Sequence, residues 1–184
     1  MMGITTSRDL AGFHEERSRL YEAIATSLAT APSPLGIAAL RARLAGSRST
    51  RPAHRRTLSA LDATTDEALR AEFNRLFQGT GAVSLRCQAP SGAGIAETCV
   101  ADLATLAKHA HETAAAISAG QIMRAVHQTE LQRNLLDDHA GTCLRSLAQT
   151  MATREDCPFY RCLGVLLQEL LDEDLAVLAS PVNP

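Results

Sequence analysis

The chain contains few aromatic residues and almost no lysine. Its 184 residues include no tryptophan, two tyrosines, four phenylalanines and one lysine, Lys108. So few aromatic rings cannot build the stacking platform that binds single-stranded nucleic acids. Because His109 follows Lys108, the chain has no phosphate-binding P-loop, and a Schiff-base enzyme would have one candidate lysine.

Long apolar runs and paired cysteines are also missing. No apolar run approaches 18 residues and no apolar signal segment opens the chain, so we expect neither export nor stable membrane insertion. The five cysteines form no Cys-x-x-Cys pair, and their odd number indicates reduced thiols in a cytoplasm rather than a zinc site. They are Cys87, Cys99, Cys143, Cys157 and Cys162.

The apolar residues that are present favour helices. The 32 alanines and 25 leucines far outnumber the 12 valines and isoleucines, which excludes an all-β fold. We predict one all-α domain over residues 1–184, with six to eight helices and a Gly- and Pro-containing loop at about 79–94. The apolar spacing predicts helices at about 7–28, 34–44, 54–61, 64–79 (opened by a Thr64–Glu67 capping box), 95–120, 121–151 and 158–179.

Arginines crowd one segment that has no acidic residue. Six arginines lie between Arg41 and Arg56, and no Asp or Glu occurs between Gly36 and Leu61. We interpret this stretch as a solvated helix and loop. The alternative is a helical regulator or adaptor that uses the Arg41–Arg56 stretch to bind nucleic acid.

Clusters of acidic residues and histidines suggest an enzyme, but the spacing of these residues does not support an active site. His109 and His111 are two residues apart, so they point in different directions on a helix and cannot share a metal ion. Asp137, Asp138 and His139 are consecutive and diverge in the same way, and His139 fits better as an interhelix histidine on an apolar stripe. We therefore predict no catalytic residue, no metal ligand and no cofactor.

Three segments resemble one known family, in the right order. Residues 17–28, RSRLYEAIATSL, followed by APSP, are similar to the opening helix of the TorD/NarJ/DmsD family of redox-enzyme maturation chaperones. Residues 72–79, EFNRLFQG, are similar to the family's aromatic-x-Arg-Leu-Phe-x-Gly helix end. Residues 131–175, with His139 and CPFYR at 157–161, resemble the family's last two helices, and Asp102-Leu103-x-x-Leu106-Ala107 resembles its Glu-Leu-x-x-Leu-Ala.

The resemblance departs from the family at positions that concern client binding. Ala96, Glu97 and Thr98 stand where the family has Pro-Asp-His, so an acid is kept and the imidazole is lost. Cys143 stands where relatives carry tryptophan, and Leu147 where they carry phenylalanine. These changes indicate a divergent branch of the family.

The resemblance implies a TorD-like helical bundle and a function. Such a protein is a cytoplasmic, non-enzymatic chaperone that binds the apo catalytic subunit of a molybdopterin oxidoreductase, often through its N-terminal leader peptide, and assists cofactor insertion. It binds no nucleic acid, and it is a monomer or a domain-swapped dimer. The client-binding candidates are Leu76, Phe77, Glu97, Thr98, Asp102 and His139. For Leu76 and Phe77 the alternative is ordinary core packing, and for Glu97 it is a charge favoured at a helix N-terminus.

Overall fold

The computed structural model describes residues 7–29, 93–153 and 158–179, with the isolated positions 42, 65, 67 and 68. Within these ranges the side chains of residues 29, 93–97, 158–160 and 162 are outside the description. The described segments form five helices and contain no strand, which confirms the all-α prediction. The helices are α1 (Ser7–Ala29), α2 (Ala93–Ser118), α3 (Ile122–Asp137), α4 (His139–Ala152) and α5 (Pro158–Leu178).

Predictions for the remaining segments fall largely outside this description. The predicted helices at 34–44, 54–61 and 64–79 and the Arg41–Arg56 stretch lie there. Near the predicted Thr64–Glu67 capping box, the Ala68 backbone N–H donates to Thr65 Oγ1 at 3.2 Å, and Thr64 itself lies outside the description. Of the loop predicted at about 79–94, the last two residues belong to α2, which begins at Ala93, and the rest lies outside the description.

One apolar core joins the helices. The most extensive contacts are those of α1 with α2, α4 with α5, and α2 with α3. Leucines, alanines and single tyrosine, isoleucine and methionine side chains fill the interior, in keeping with the Ala/Leu-rich composition. The fully buried members include Leu20, Tyr21, Ile24, Leu103, Leu106, Leu136, Leu144, Met151, Leu163 and Leu170.

The helix predicted over 121–151, for which the sequence allows a bend at Gly141, is two helices. Asp138 adopts an extended backbone (φ −83°, ψ −174°) and separates α3 from α4. The chain then passes so close to the end of α3 that a Cβ atom on Gly141 would lie 1.8 Å from the Leu136 carbonyl oxygen. Glycine is therefore required one turn after the break, and the break places His139 at the exposed start of α4 rather than on a buried stripe.

The turn between α2 and α3 has the hydrogen bonds of a Schellman motif. Gly120 has φ +70°, its N–H donates to the Ile117 carbonyl, and the Gln121 N–H donates to the Ala116 carbonyl at 2.8 Å. This turn reverses the chain, so that α3 packs against α2. None of the described helices is both long and apolar enough to cross a membrane.

Candidate functional site

A buried ion pair fastens α1 to α5. Arg17 is 1% exposed, and its Nε donates to Asp174 Oδ1 at 2.5 Å. The Tyr21 hydroxyl donates to the other carboxylate oxygen of Asp174, also at 2.5 Å. The guanidinium additionally donates through Nη2 to Glu173 Oε2 and lies 4.3 Å from the centre of the Phe13 ring. We call Arg17, Tyr21 and Asp174 the clasp.

The surroundings of the clasp shift the pKa of each of its groups. Burial is the largest single effect on Arg17 and disfavours its charge, but the charge and hydrogen bond of Asp174, together with Tyr21 and Glu173, outweigh burial, so the pKa of Arg17 is raised. Burial raises the pKa of Asp174, and contact with Arg17 and Tyr21 opposes that rise. Burial and the nearby Asp174 charge raise the pKa of Tyr21 well above its ordinary value. A carboxylate with both oxygens bonded inside the core fixes geometry rather than reacting, so we assign the clasp a structural role.

Next to the clasp, a polar chain of side chains crosses from α1 to α3 and α2. His14 is 1% exposed, and burial, with the charge of Arg17, lowers its pKa to about 4 against a weaker effect of Gln132. Gln132 Nε2 donates to Thr113 Oγ1 at 2.8 Å, and His109 Nδ1 lies 2.7 Å from Gln128 Oε1. These contacts hold the three helices in register.

An open groove of about 640 Å³ lies between α1 and α2. Small apolar side chains form much of its lining, and charged side chains stand on both walls, with Glu22 on α1 and the single lysine, Lys108, on α2. Its volume is within the usual range of about 300–1,000 Å³ for ligand sites. The lining residues are Ser18, Glu22, Ala25, Thr26, Val100, Ala104, Ala107, Lys108 and His111.

A second polar surface lies where α2 meets the start of α4. Asp102 of α2 interacts electrostatically with His139, and Cys143 Sγ lies 3.4 Å from His139 Nε2. Cys99, one turn before Asp102, is fully buried beneath this surface. We call Asp102, His139 and Cys143 the thiol cluster. Within the described part of the chain, no three His, Cys, Asp or Glu side chains are grouped so as to hold a metal ion.

Burial governs the ionisation of the groups around this cluster. It raises the pKa of the Cys99 thiol to about 11, and the charges of Cys143 and Asp102 add to the effect. It also raises the pKa of Asp102, against the lowering effect of His139. Among the described residues Asp102 Oδ2 has no hydrogen-bond partner although that atom is buried. The carboxylate therefore acts on His139 through its charge.

The two surfaces lie on opposite sides of α2. Residues two apart on a helix differ by about 200° in direction, so Asp102 faces away from Val100 and the groove. The structure thus brings together Asp102 and His139 from different segments, with Thr98 exposed one turn before Asp102. It does not bring these residues to the groove. Leu76, Phe77 and the side chain of Glu97 lie outside the described residues, so their assigned roles stay predictions.

Sequence reasoning missed Arg17, Asp174 and Tyr21 as partners, and it missed the thiol cluster. The patterns were present: Arg17 and Asp174 each fill a position on the apolar stripe of a helix, and Cys143 follows His139 by four residues, the spacing of side chains on one helix face. Comparing the chain with protein-family models, curated proteins and solved structures gives no match.

Proposed function

We propose that this protein is a chaperone for the catalytic subunit of a molybdopterin oxidoreductase and that it binds an N-terminal peptide of this client in the groove between α1 and α2. The family resemblance supplies the client class. The groove is the observation that carries the peptide-binding part, because it offers the concave apolar surface that such a module needs.

The lining suits one side of an amphipathic helix. The small alanines leave room for larger aliphatic side chains of the peptide, which is how helices are recognised in apolar grooves. Glu22 on the α1 wall is exposed and positioned to pair with an arginine of the peptide. Lys108 and His111 lie on the α2 wall. The groove therefore has an acidic side chain on one wall and basic side chains on the other, and this asymmetry orients the bound peptide.

The test combines capture of the client with its cofactor content. The tagged full-length chain should co-purify with a large molybdopterin oxidoreductase subunit, and deleting its gene should leave that subunit without molybdenum. Full cofactor loading in the deletion strain contradicts the proposal. Binding to nucleic acid with a steep salt dependence, without capture of such a subunit, supports the alternative based on the Arg41–Arg56 stretch.

Groove variants locate the binding surface. Ala104→Phe fills the groove and should abolish capture, whereas Ala101→Phe, exposed on the same helix but outside the lining, should not. Glu22→Gln should weaken capture, and the exposed Glu130→Gln on α3 is its control. If the chaperone function holds but Asp102→Asn abolishes capture and Ala104→Phe does not, the client binds at the opposite side of α2.

A further inference from the structure

We propose that Cys143 is a reactive thiol, deprotonated by His139, that forms a mixed disulfide with a low-molecular-weight disulfide such as glutathione disulfide. The site lies on the side of α2 opposite the groove and does not depend on the identity of the client. No residue of the groove takes part in it.

Three observations together support the proposal. Cys143 Sγ and His139 Nε2 are 3.4 Å apart, within the hydrogen-bond distance for sulfur. His139 is exposed and Cys143 half-buried, so a small reagent can reach the sulfur. Asp102, on another helix, places its carboxylate within electrostatic range of the imidazole, and one carboxylate oxygen is buried without a hydrogen-bond partner among the described residues. This negative charge stabilises the positive charge that the imidazole gains when it accepts the thiol proton. A nucleophile, a base and a charged group beside the base form the arrangement that activates thiols.

The reaction balances without any other reactant. His139 Nε2 accepts the proton of the Cys143 thiol, and the thiolate attacks one sulfur of glutathione disulfide. A new S–S bond forms to Cys143 while the original S–S bond breaks. The second glutathione leaves as a thiolate and takes the proton from the imidazolium, so Cys143 is oxidised and the leaving sulfur is reduced.

Cys99 provides an internal control in the same region. It is fully buried, and burial raises its pKa to about 11, so it lacks both access and thiolate character. Asp102 acts here as a positioning residue, since it influences the imidazole rather than the sulfur. The inference therefore predicts different reactivity for two cysteines that share one end of the α2–α4 contact.

The experiment treats the full folded chain with glutathione disulfide and follows each cysteine by tryptic mass spectrometry. Cleavage after Arg133 and Arg145 gives peptide 134–145, in which Cys143 is the single cysteine. Cys143 should form the adduct while Cys99 does not. A positioned general base typically speeds a reaction at least about 100-fold. Because His139 is exposed and water competes with it, we expect His139→Gln to slow the rate of adduct formation about tenfold.

The control variants separate the chemistry from changes in folding. His127→Gln removes another exposed histidine and should leave the rate unchanged. Asp102→Asn should slow the reaction about threefold, a smaller effect because it acts through charge alone. At pH values below the ordinary pKa of a thiol, the rate of adduct formation in His139→Gln should rise about tenfold per pH unit. The wild-type rate should rise less steeply over the same pH range. Circular dichroism of each variant checks that its helices are retained.

The proposal is overturned if folded wild-type protein forms no adduct at Cys143 under conditions that modify the denatured chain. It is equally overturned if the rates and pH profiles of wild type and His139→Gln coincide. An adduct at Cys143 that depends on His139 but not on His127 supports it.

Discussion

Replacing one charged residue of the clasp alone should lower the free energy of unfolding more than replacing both charged residues together. Asp174→Leu leaves the Arg17 guanidinium 1% exposed with Glu173, itself about half exposed, as its main remaining acid. Arg17→Met leaves a carboxylate that is 2% exposed with Tyr21 as its remaining clasp partner. Breaking a buried pair in this way costs about 3–5 kcal/mol, because an uncompensated charge stays inside the protein.

The double variant Arg17→Met/Asp174→Leu should behave differently. It buries no charge in the clasp and fills similar volume with apolar atoms, and such replacements are often neutral or stabilising. The buried Tyr21 hydroxyl loses its acceptor in this variant, so we expect its free energy of unfolding to lie about 1–2 kcal/mol below that of the wild type, a smaller loss than in either single variant. Tyr21→Phe removes one hydrogen bond to a charged group and should cost about 1.5 kcal/mol.

Urea unfolding followed by circular dichroism measures these free energies and yields the coupling between the two positions from a double-mutant cycle. The coupling energy should be at least about 3 kcal/mol, since the double variant should be more stable than either single one. Single variants that each lose less than about 1 kcal/mol would refute the reasoning. So would a double variant that loses the sum of the two single losses, because the two charges would then act independently.

Three further predictions concern glycines and a histidine. Gly141→Ala should lower the free energy of unfolding by at least about 2 kcal/mol, because the new methyl group meets the Leu136 carbonyl; a loss under about 1 kcal/mol in urea unfolding would contradict the close approach. Gly12→Ala, in open space on α1, should instead raise it by up to about 1 kcal/mol in the same assay, and any loss would count against the exposed helical geometry there. Lowering the pH from about 6.5 to 4 should cost about 3 kcal/mol through His14, because the unfolded chain takes up a proton that the buried imidazole, with a pKa of about 4, does not. The pH dependence of unfolding in wild type minus that in His14→Gln isolates this contribution, and equal slopes would refute it.

Much of the fold follows from apolar spacing and composition. The starts and ends of α1, α2 and α5 are predicted to within a few residues, since proline, glycine and apolar periodicity determine them locally. The break at Asp138 is not predictable in this way. No proline marks it, and Gly141, the nearest glycine, lies three residues later; its need for glycine arises from the approach of the Leu136 carbonyl, which exists only in the folded chain.

Part of the thiol cluster could be predicted from the sequence. Asp102 and His139 could be assigned together to one site only through the family resemblance, because nothing in the spacing of residues relates positions on different helices. Their proximity depends on the α2–α4 contact, which in turn depends on the break that moves His139 to the start of a new helix. The Cys143–His139 contact, by contrast, spans four residues of one helix and is readable from the sequence.

The two charged residues of the clasp lie on different helices, yet each occupies a position that can be recognised from the sequence of its own helix. On α1 the apolar positions Phe13 and Leu20 are seven residues apart, and the position midway on the same face is Arg17. On α5 the stripe that includes Leu170 and Leu178 passes through Asp174 in the same way. A charge on a buried face costs several kcal/mol unless an opposite charge meets it, so one arginine and one aspartate at such positions imply that each is the other's partner. The same reasoning explains why α1 and α5 meet at this point although their direct contacts are few.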